Sequence, residues 1–240
     1  MGTRPLRLQR ARRHRQTVAA WLLALGIDPV CQAGGHFDVD DAGTLDMESC
    51  QYETWVGRSR GGNMEPVTGF HFGPACRAGP FELGLNADRF TQKGEPTSVL
   101  LGPQLKWTFL GQAPESSVSA ALSASVIGDI TNGGRLGGQF VVPVTWLVSR
   151  RVQLHANAGV DWNPGDGFRT SRSGLAVEWI LHGPVSLIAE RGRSFSQWTS
   201  RIGARWAIAP LVTLDVSLAR ISPDGLRAIT LGLNREFGMR

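Results

Sequence analysis

Lys106, His155, Asn157, Glu178, Glu190, Arg201, Arg205 and Asp215 share a position that spacing alone reveals: each falls on the polar parity of a run whose alternate residues are apolar. Alternate side chains of a strand point to opposite faces, so these eight groups would converge on one side of a sheet. Charged groups at membrane depth face protein or water and often mark a solute path. The same set could instead be a mutually paired polar plug that holds a narrow barrel shut. Glu190 with Arg201 or Arg205 is the expected ion pair, because their runs are hairpin neighbours.

Covalent chemistry has less support. His155 lies in LHANAG (Leu154–Gly159), where a lipid hydrolase of the barrel type would need an adjacent serine and an Asn or acid to orient the histidine. That serine is missing, and His155 takes the inward parity, out of reach of acyl chains. No catalytic residue is assigned. Asp38, Asp40, Asp41, Asp46 and Glu48 crowd one stretch, yet the glycine and terminal glutamate of a calcium loop are out of place. Residues 34–49 therefore read as a solvated, acidic periplasmic leader. No CxxC or Cys/His grouping suggests a metal, and no cofactor is implied.

The charge balance depends on where the mature chain begins. Residues 1–33 look like an export signal: Arg4, Arg7, Arg10, Arg12, Arg13 and Arg15 precede the apolar run Thr17–Ile27, and Cys31-Gln32-Ala33 offers a cleavage site. This segment holds six of the 25 basic residues and one of the 20 acidic ones, leaving 19 of each. The pI of 9.8 thus belongs to the signal, and nucleic acid is not an expected partner. Cys50 and Cys76 remain after cleavage, an even number in an oxidising compartment. A Cys50–Cys76 disulfide is the favoured reading, with two free thiols as the alternative.

What would position the polar set is a series of strands. In QWTSRIGARWAIAP (Gln197–Pro210), Trp198, Ser200, Ile202, Ala204, Trp206 and Ile208 alternate with Thr199, Arg201, Gly203, Arg205 and Ala207. Eight residues between the tryptophans span roughly 26 Å at about 3.3 Å each, or about 20 Å of height at a tilt of about 40°, close to the apolar band of an outer-membrane barrel. Runs of the same design recur from Pro80 to Phe237, about ten in all. Cys50–Arg60 and Val67–Ala78 would make twelve, or would sit inside as a plug. Short links (Arg77–Pro80, Gly111–Glu115, Ser149–Arg151, His182–Pro184, Ala209–Leu211) alternate with longer polar ones, among them Gly128–Gly137, Pro164–Arg172 and Gly192–Ser196. With short turns periplasmic, Trp107, Trp146, Trp179 and Trp206 fall near that side and Trp162 and Trp198 near the other, an aromatic girdle on the apolar parity. No run is long and apolar enough for a helical span.

LHANAGVDWN (Leu154–Asn163), LIAERG (Leu187–Gly192), Arg201–Trp206 and the ending TLGLNREF (Thr230–Phe237) resemble bacterial outer-membrane β-barrel transporters of the phenol-degradation MetA-pathway type. The resemblance covers Pro80–Phe237 and implies an outer-membrane barrel. Gly238-Met239-Arg240 follow the aromatic residue with which the barrel-assembly signal would end.

The expectation is an all-β protein: a closed antiparallel transmembrane β-barrel of about 12 strands, with 10 as the alternative, over residues 50–237, and a tail at 238–240. It would sit in a bacterial outer membrane, in contact with its lipid, lipopolysaccharide and the barrel-assembly machinery, and would bind or pass a small solute through a polar, mixed-charge lumen. A lipid-modifying hydrolase and a structural or adhesive barrel are the rival readings.

Overall fold

The computed structural model describes residues 36–62, 64–112 and 115–239. The export signal read at 1–33 lies outside these residues, as does Arg240. Twelve strands follow in chain order: β1 (Ser49–Gly61), β2 (Met64–Ala78), β3 (Phe81–Gln92), β4 (Ser98–Leu110), β5 (Val118–Asp129), β6 (Gly137–Ser149), β7 (Val152–Trp162), β8 (Arg169–His182), β9 (Val185–Ser194), β10 (Gln197–Ala209), β11 (Val212–Ser222) and β12 (Leu226–Gly238). Each pairs with its chain neighbours, and β1 pairs antiparallel with β12, from Ser49↔Gly238 to Arg60↔Arg227, closing the barrel. The two early runs are therefore wall, and the strand number is twelve.

The wall is inverted relative to a water-soluble domain. Ile202, Leu231 and Trp206 are 63%, 55% and 53% exposed on its outer face, whereas Asp161, Glu178 and His155 inside are at most 1% exposed. Water would oppose so much exposed apolar area. Hydrocarbon accepts it, provided every backbone group on the wall is paired, which closure achieves. Trp107, Trp146, Trp162, Trp179, Trp198 and Trp206, the residues expected to form a girdle, stand on the outer parity. Trp107, Trp146, Trp179 and Trp206 each precede by one residue a register shift near the end of β4, β6, β8 or β10. A bulge repeated at that height bends each strand at the same rim.

Two links depart from the expected lengths. Gly192–Ser196 is mostly strand, because Phe195 and Ser196 adopt positive φ (46° and 69°) and make a tight turn between β9 and β10. Between β4 and β5 the connection runs over 111–117 and is longer than expected.

The acidic leader is the main correction. Over residues 36–45 it is not solvated: Phe37, Val39, Ala42 and Leu45 are at most 7% exposed and the stretch runs inside the barrel, whereas Asp46, Met47 and Glu48 are exposed as expected. Reading its carboxylates alone hid the apolar residues interleaved with them. Those residues pack on the inner wall while Asp38 and Asp41 meet wall cations, Arg201 at 3.1 Å and Lys106 at 3.3 Å.

Cys50 and Cys76 are register partners on β1 and β2 and form a disulfide across a sequence separation of 26. Closing a loop of that length restricts the unfolded chain by about 3 kcal/mol. Cys50→Ser with Cys76→Ser should lower the stability of the refolded barrel by about that amount in urea titrations followed by tryptophan emission, with the barrel still closed.

Candidate functional site

The backbone of residues 36–45 pairs with no strand, so its polar groups need side chains from the wall. Glu190, on β9, accepts from the N–H groups of Asp38 and Val39, 3.0 Å to each oxygen. Arg172, on β8, donates to Asp38 O at 3.0 Å, and Arg201, on β10, donates to His36 O. The Asn157 carboxamide, turned so that its oxygen faces Asp40 N, accepts there at 2.7 Å and donates to Asp40 O at 2.9 Å. Thr145 accepts from Ala42 N (2.9 Å), and Thr108 donates to Ala42 O (2.6 Å). Gln112 donates to Thr44 O at 2.9 Å, Glu82 accepts from Leu45 N at 2.9 Å, and Arg77 donates to Leu45 O at 2.6 Å. Buried backbone groups are expensive to leave unpaired, and this arrangement pairs them along the segment.

Shape follows the same logic. A Cβ at Gly174 would lie 2.6 Å from Val39 Cγ2, and one at Gly203 would lie 2.9 Å from Phe37 Cζ. These two inward glycines are notches that admit the segment's apolar side chains. The Phe37 ring lies 5.7 Å from the Arg205 guanidinium and 6.0 Å from that of Arg201, within the range of cation–π attraction.

All eight residues singled out from the sequence face the lumen, in three roles. Lys106, Asn157, Glu190 and Arg201 touch the 36–45 segment directly, and Glu190 Oε1 also lies 3.0 Å from Arg201 Nε. His155 acts at one remove: its Nδ1 is 2.9 Å from Thr145 Oγ1, the hydroxyl that holds Ala42. Glu178, Arg205 and Asp215 form a group beneath Phe37. Arg205 donates to Asp215 at 2.8 and 3.2 Å, Glu178 accepts from Ser186 at 2.6 Å, and Arg205 Nη1 lies 4.0 Å from Glu178. With its ring held by a threonine, His155 has a visible structural job.

Sequence reasoning missed Arg172, Glu82, Trp55, His71 and Asp88. Arg172 lay in a stretch read as loop, and Glu82 was passed over while the apolar parity of its strand was tracked. Trp55 and His71 sit in the glycine-interrupted runs. Their inward parity was the available signal. These last residues border what the segment leaves open, a cavity of about 280 Å³ beside β1–β6 lined by Trp55, His71, Asp88, Gln104, Lys106 and Asp40 among others. His71 Nδ1 is 2.7 Å from Asp88, and its ring stacks on Trp55 at 5.4 Å.

A family model described as "Uncharacterised conserved protein UCP029691" matches residues 21–236. The chain belongs to that family. That description names no pathway, and what the comparisons support of the MetA-pathway resemblance is the outer-membrane barrel. No curated protein matches the sequence. Among solved structures the chain is similar to the NanC porin (TM-score 0.57, 8% identity, 77% of this chain and 98% of that one). It is also similar to the KdgM porin in complex with disordered oligogalacturonate (0.56, 10%, 79% and 99%). A third likeness is to the COG4313 outer membrane channel from Pseudomonas putida F1 (0.56, 11%, 84% and 100%). At these identities the likeness establishes the fold, an outer-membrane porin-like barrel.

Glu190→Ala should loosen the segment, because two buried N–H groups lose their acceptor at about 1–3 kcal/mol each. A cysteine placed at Ala42 should then react faster with a water-soluble maleimide than in the parent barrel. Glu190→Gln, which keeps one acceptor oxygen, should fall between the two.

Proposed function

We propose that the protein is an outer-membrane channel for small solutes, its bore narrowed by residues 36–45 and its remaining passage selective for cations and neutral polar solutes over anions. The observation that carries this reading is the division of charge inside the lumen. Arg172, Arg201 and Arg205 are all engaged on the side where the segment docks. The cavity that remains is bordered by Asp38, Asp40, Asp41, Glu53, Glu82 and Asp88, and among the described residues Lys106 is the one Lys or Arg on its border. A channel lined by one sign of charge concentrates ions of the other sign and repels its own.

Porin-like barrels of the same strand arrangement, one of them solved with oligogalacturonate, support solute passage in general. The acidic lining argues for a different preference here. In this reading the barrel lies among outer-membrane lipid and lipopolysaccharide after insertion by the barrel-assembly machinery.

The test is single-channel recording in planar bilayers with a salt gradient. The parent protein should show small, cation-selective conductance, and Asp88→Asn with Glu53→Gln should move the reversal potential toward the anion side. Gly174→Val, which forces a side chain into the space of Val39, should raise conductance several-fold. Absence of conductance from both the parent and the Gly174→Val barrel would leave a sealed structural barrel, and anion selectivity would overturn the charge argument.

A further inference from the structure

The outer wall carries charge of one kind. Along the outward positions of the twelve strands every charged side chain is an arginine, with no lysine, aspartate or glutamate among them. Four of these nine arginines stand in one lateral row. Arg60 on β1 is the register partner of Arg227 on β12, and Arg227 is the partner of Arg220 on β11. The same lateral row continues through Ser200 on β10 to Arg191 on β9. Like charges directly opposite one another across a strand pair are destabilising. Three in succession, outside a wall bounded by hydrocarbon, call for an anion. Among the described residues none of these four forms an ion pair. Arg191 instead lies 5.2 Å from the Trp198 ring and donates to Ser200 Oγ at 3.1 Å.

Below the row the wall is hollowed and apolar. A groove of about 1000 Å³ has Arg191, Arg220 and Arg227 on its border and Leu175, Val177, Ala189, Ile202 and Leu218 along it. A second hollow of about 700 Å³ shares Val177, Ala189, Ile202 and Leu218 and continues to Trp179, Leu187 and Ala204. The groove exists because alanines alternate with larger neighbours: Ala189 lies between Val177 and Ile202 in its row, and Ala204 between Leu187 and Val216 in the next. Cationic row and greasy trough are one continuous surface.

We propose that this surface is a binding site for one phosphorylated glycolipid of the outer leaflet, the lipid A part of lipopolysaccharide, with its phosphates on the arginine row and its acyl chains in the trough. The height fits. The arginines lie toward the rim that carries the links 93–97, 130–136 and 163–168, with the shorter 62–63, 195–196 and 223–225, opposite the rim where every link but 111–117 is a two-residue turn. Longer links face the exterior in barrels of this kind. The chemistry fits as well, since guanidinium groups clasp phosphate through paired N–H donors and an ammonium does not. Strands about 4.8 Å apart put Arg191 and Arg220 about 10 Å apart and Arg60 about 19 Å from Arg191, a span that two phosphates on one headgroup can share.

The inference rests on the outer-membrane placement above and not on channel activity. Barrels purified in mild detergent from a lipopolysaccharide-containing membrane are assayed for retained lipid A by native mass spectrometry and phosphorus analysis. The parent should retain about one lipid A per barrel, and Arg60→Ala with Arg220→Ala and Arg227→Ala should lower retention at least about tenfold, the loss expected from even one charge-assisted contact. Should that variant not fold, Arg60→Lys with Arg220→Lys and Arg227→Lys keeps the charge, removes the fork, and should still lose several-fold. Equal retention by parent and variants would overturn the proposal. So would competition by phosphatidylglycerol vesicles as effective as by bisphosphorylated lipid A, which would show attraction to any anionic surface. Conductance in lipid A-free phosphatidylcholine bilayers should be the same for parent and variants. A barrel that retains lipid A but never conducts counts against the channel reading alone.

Discussion

The backbone of residues 36–45 sits where no strand can pair it, and that requirement shapes the whole lumen. Inside a barrel that is closed on itself, the wall has already used its own N–H and C=O groups. Only side chains are left to satisfy an inner segment. Glu190 and Glu82 therefore serve as acceptors for peptide N–H groups, and Arg172, Arg201 and Arg77 as donors to peptide carbonyls. The mixed-charge interior follows from that duty, because a peptide segment presents donors and acceptors in equal measure.

The strict alternation of the strands lets one chain meet two opposed demands. One parity faces hydrocarbon and excludes carboxylates altogether. The other faces peptide and water and holds the acidic residues of the strands. Arginine is the residue that crosses this division: inside it bonds the segment, outside it stands in a row near one rim. Its weakly hydrated, fork-shaped cation suits both surroundings better than an ammonium does, which agrees with the outward positions carrying no lysine.

Much of this was legible in the sequence. Period-two alternation gave the strands and their two faces, because a wall between lipid and a polar interior enforces the pattern on every strand. The inward parity of Lys106, His155, Asn157, Glu178, Glu190, Arg201, Arg205 and Asp215 was readable for the same reason. The partner of that set was not. Residues 36–45 have no periodicity of their own, since their conformation answers to notches at Gly174 and Gly203 more than a hundred positions away. Their aspartates drew attention while Phe37 and Val39, the residues that fit the notches, did not. β1 and β2 were obscured by glycines; one of these, Gly69, lies so close to the Phe90 and Trp55 rings that a Cβ there would meet both.

The energetics of the inner segment suit a device that can be displaced. About ten side-chain bonds at about 1 kcal/mol net each, with burial of Phe37, Val39 and Leu45 at about 2 kcal/mol apiece, favour docking by roughly 15 kcal/mol. Ordering its ten residues at about 1.5 kcal/mol each opposes docking by nearly the same amount. The ion pairs of Asp38 and Asp41 then weigh on a balance already close to even. A solute that competes for Arg201 or Lys106 acts on that balance directly, whereas the wall, closed by twelve strand pairings, stays fixed. The segment is thus the part of the molecule whose position small energies decide, and the wall is the part that makes those energies count.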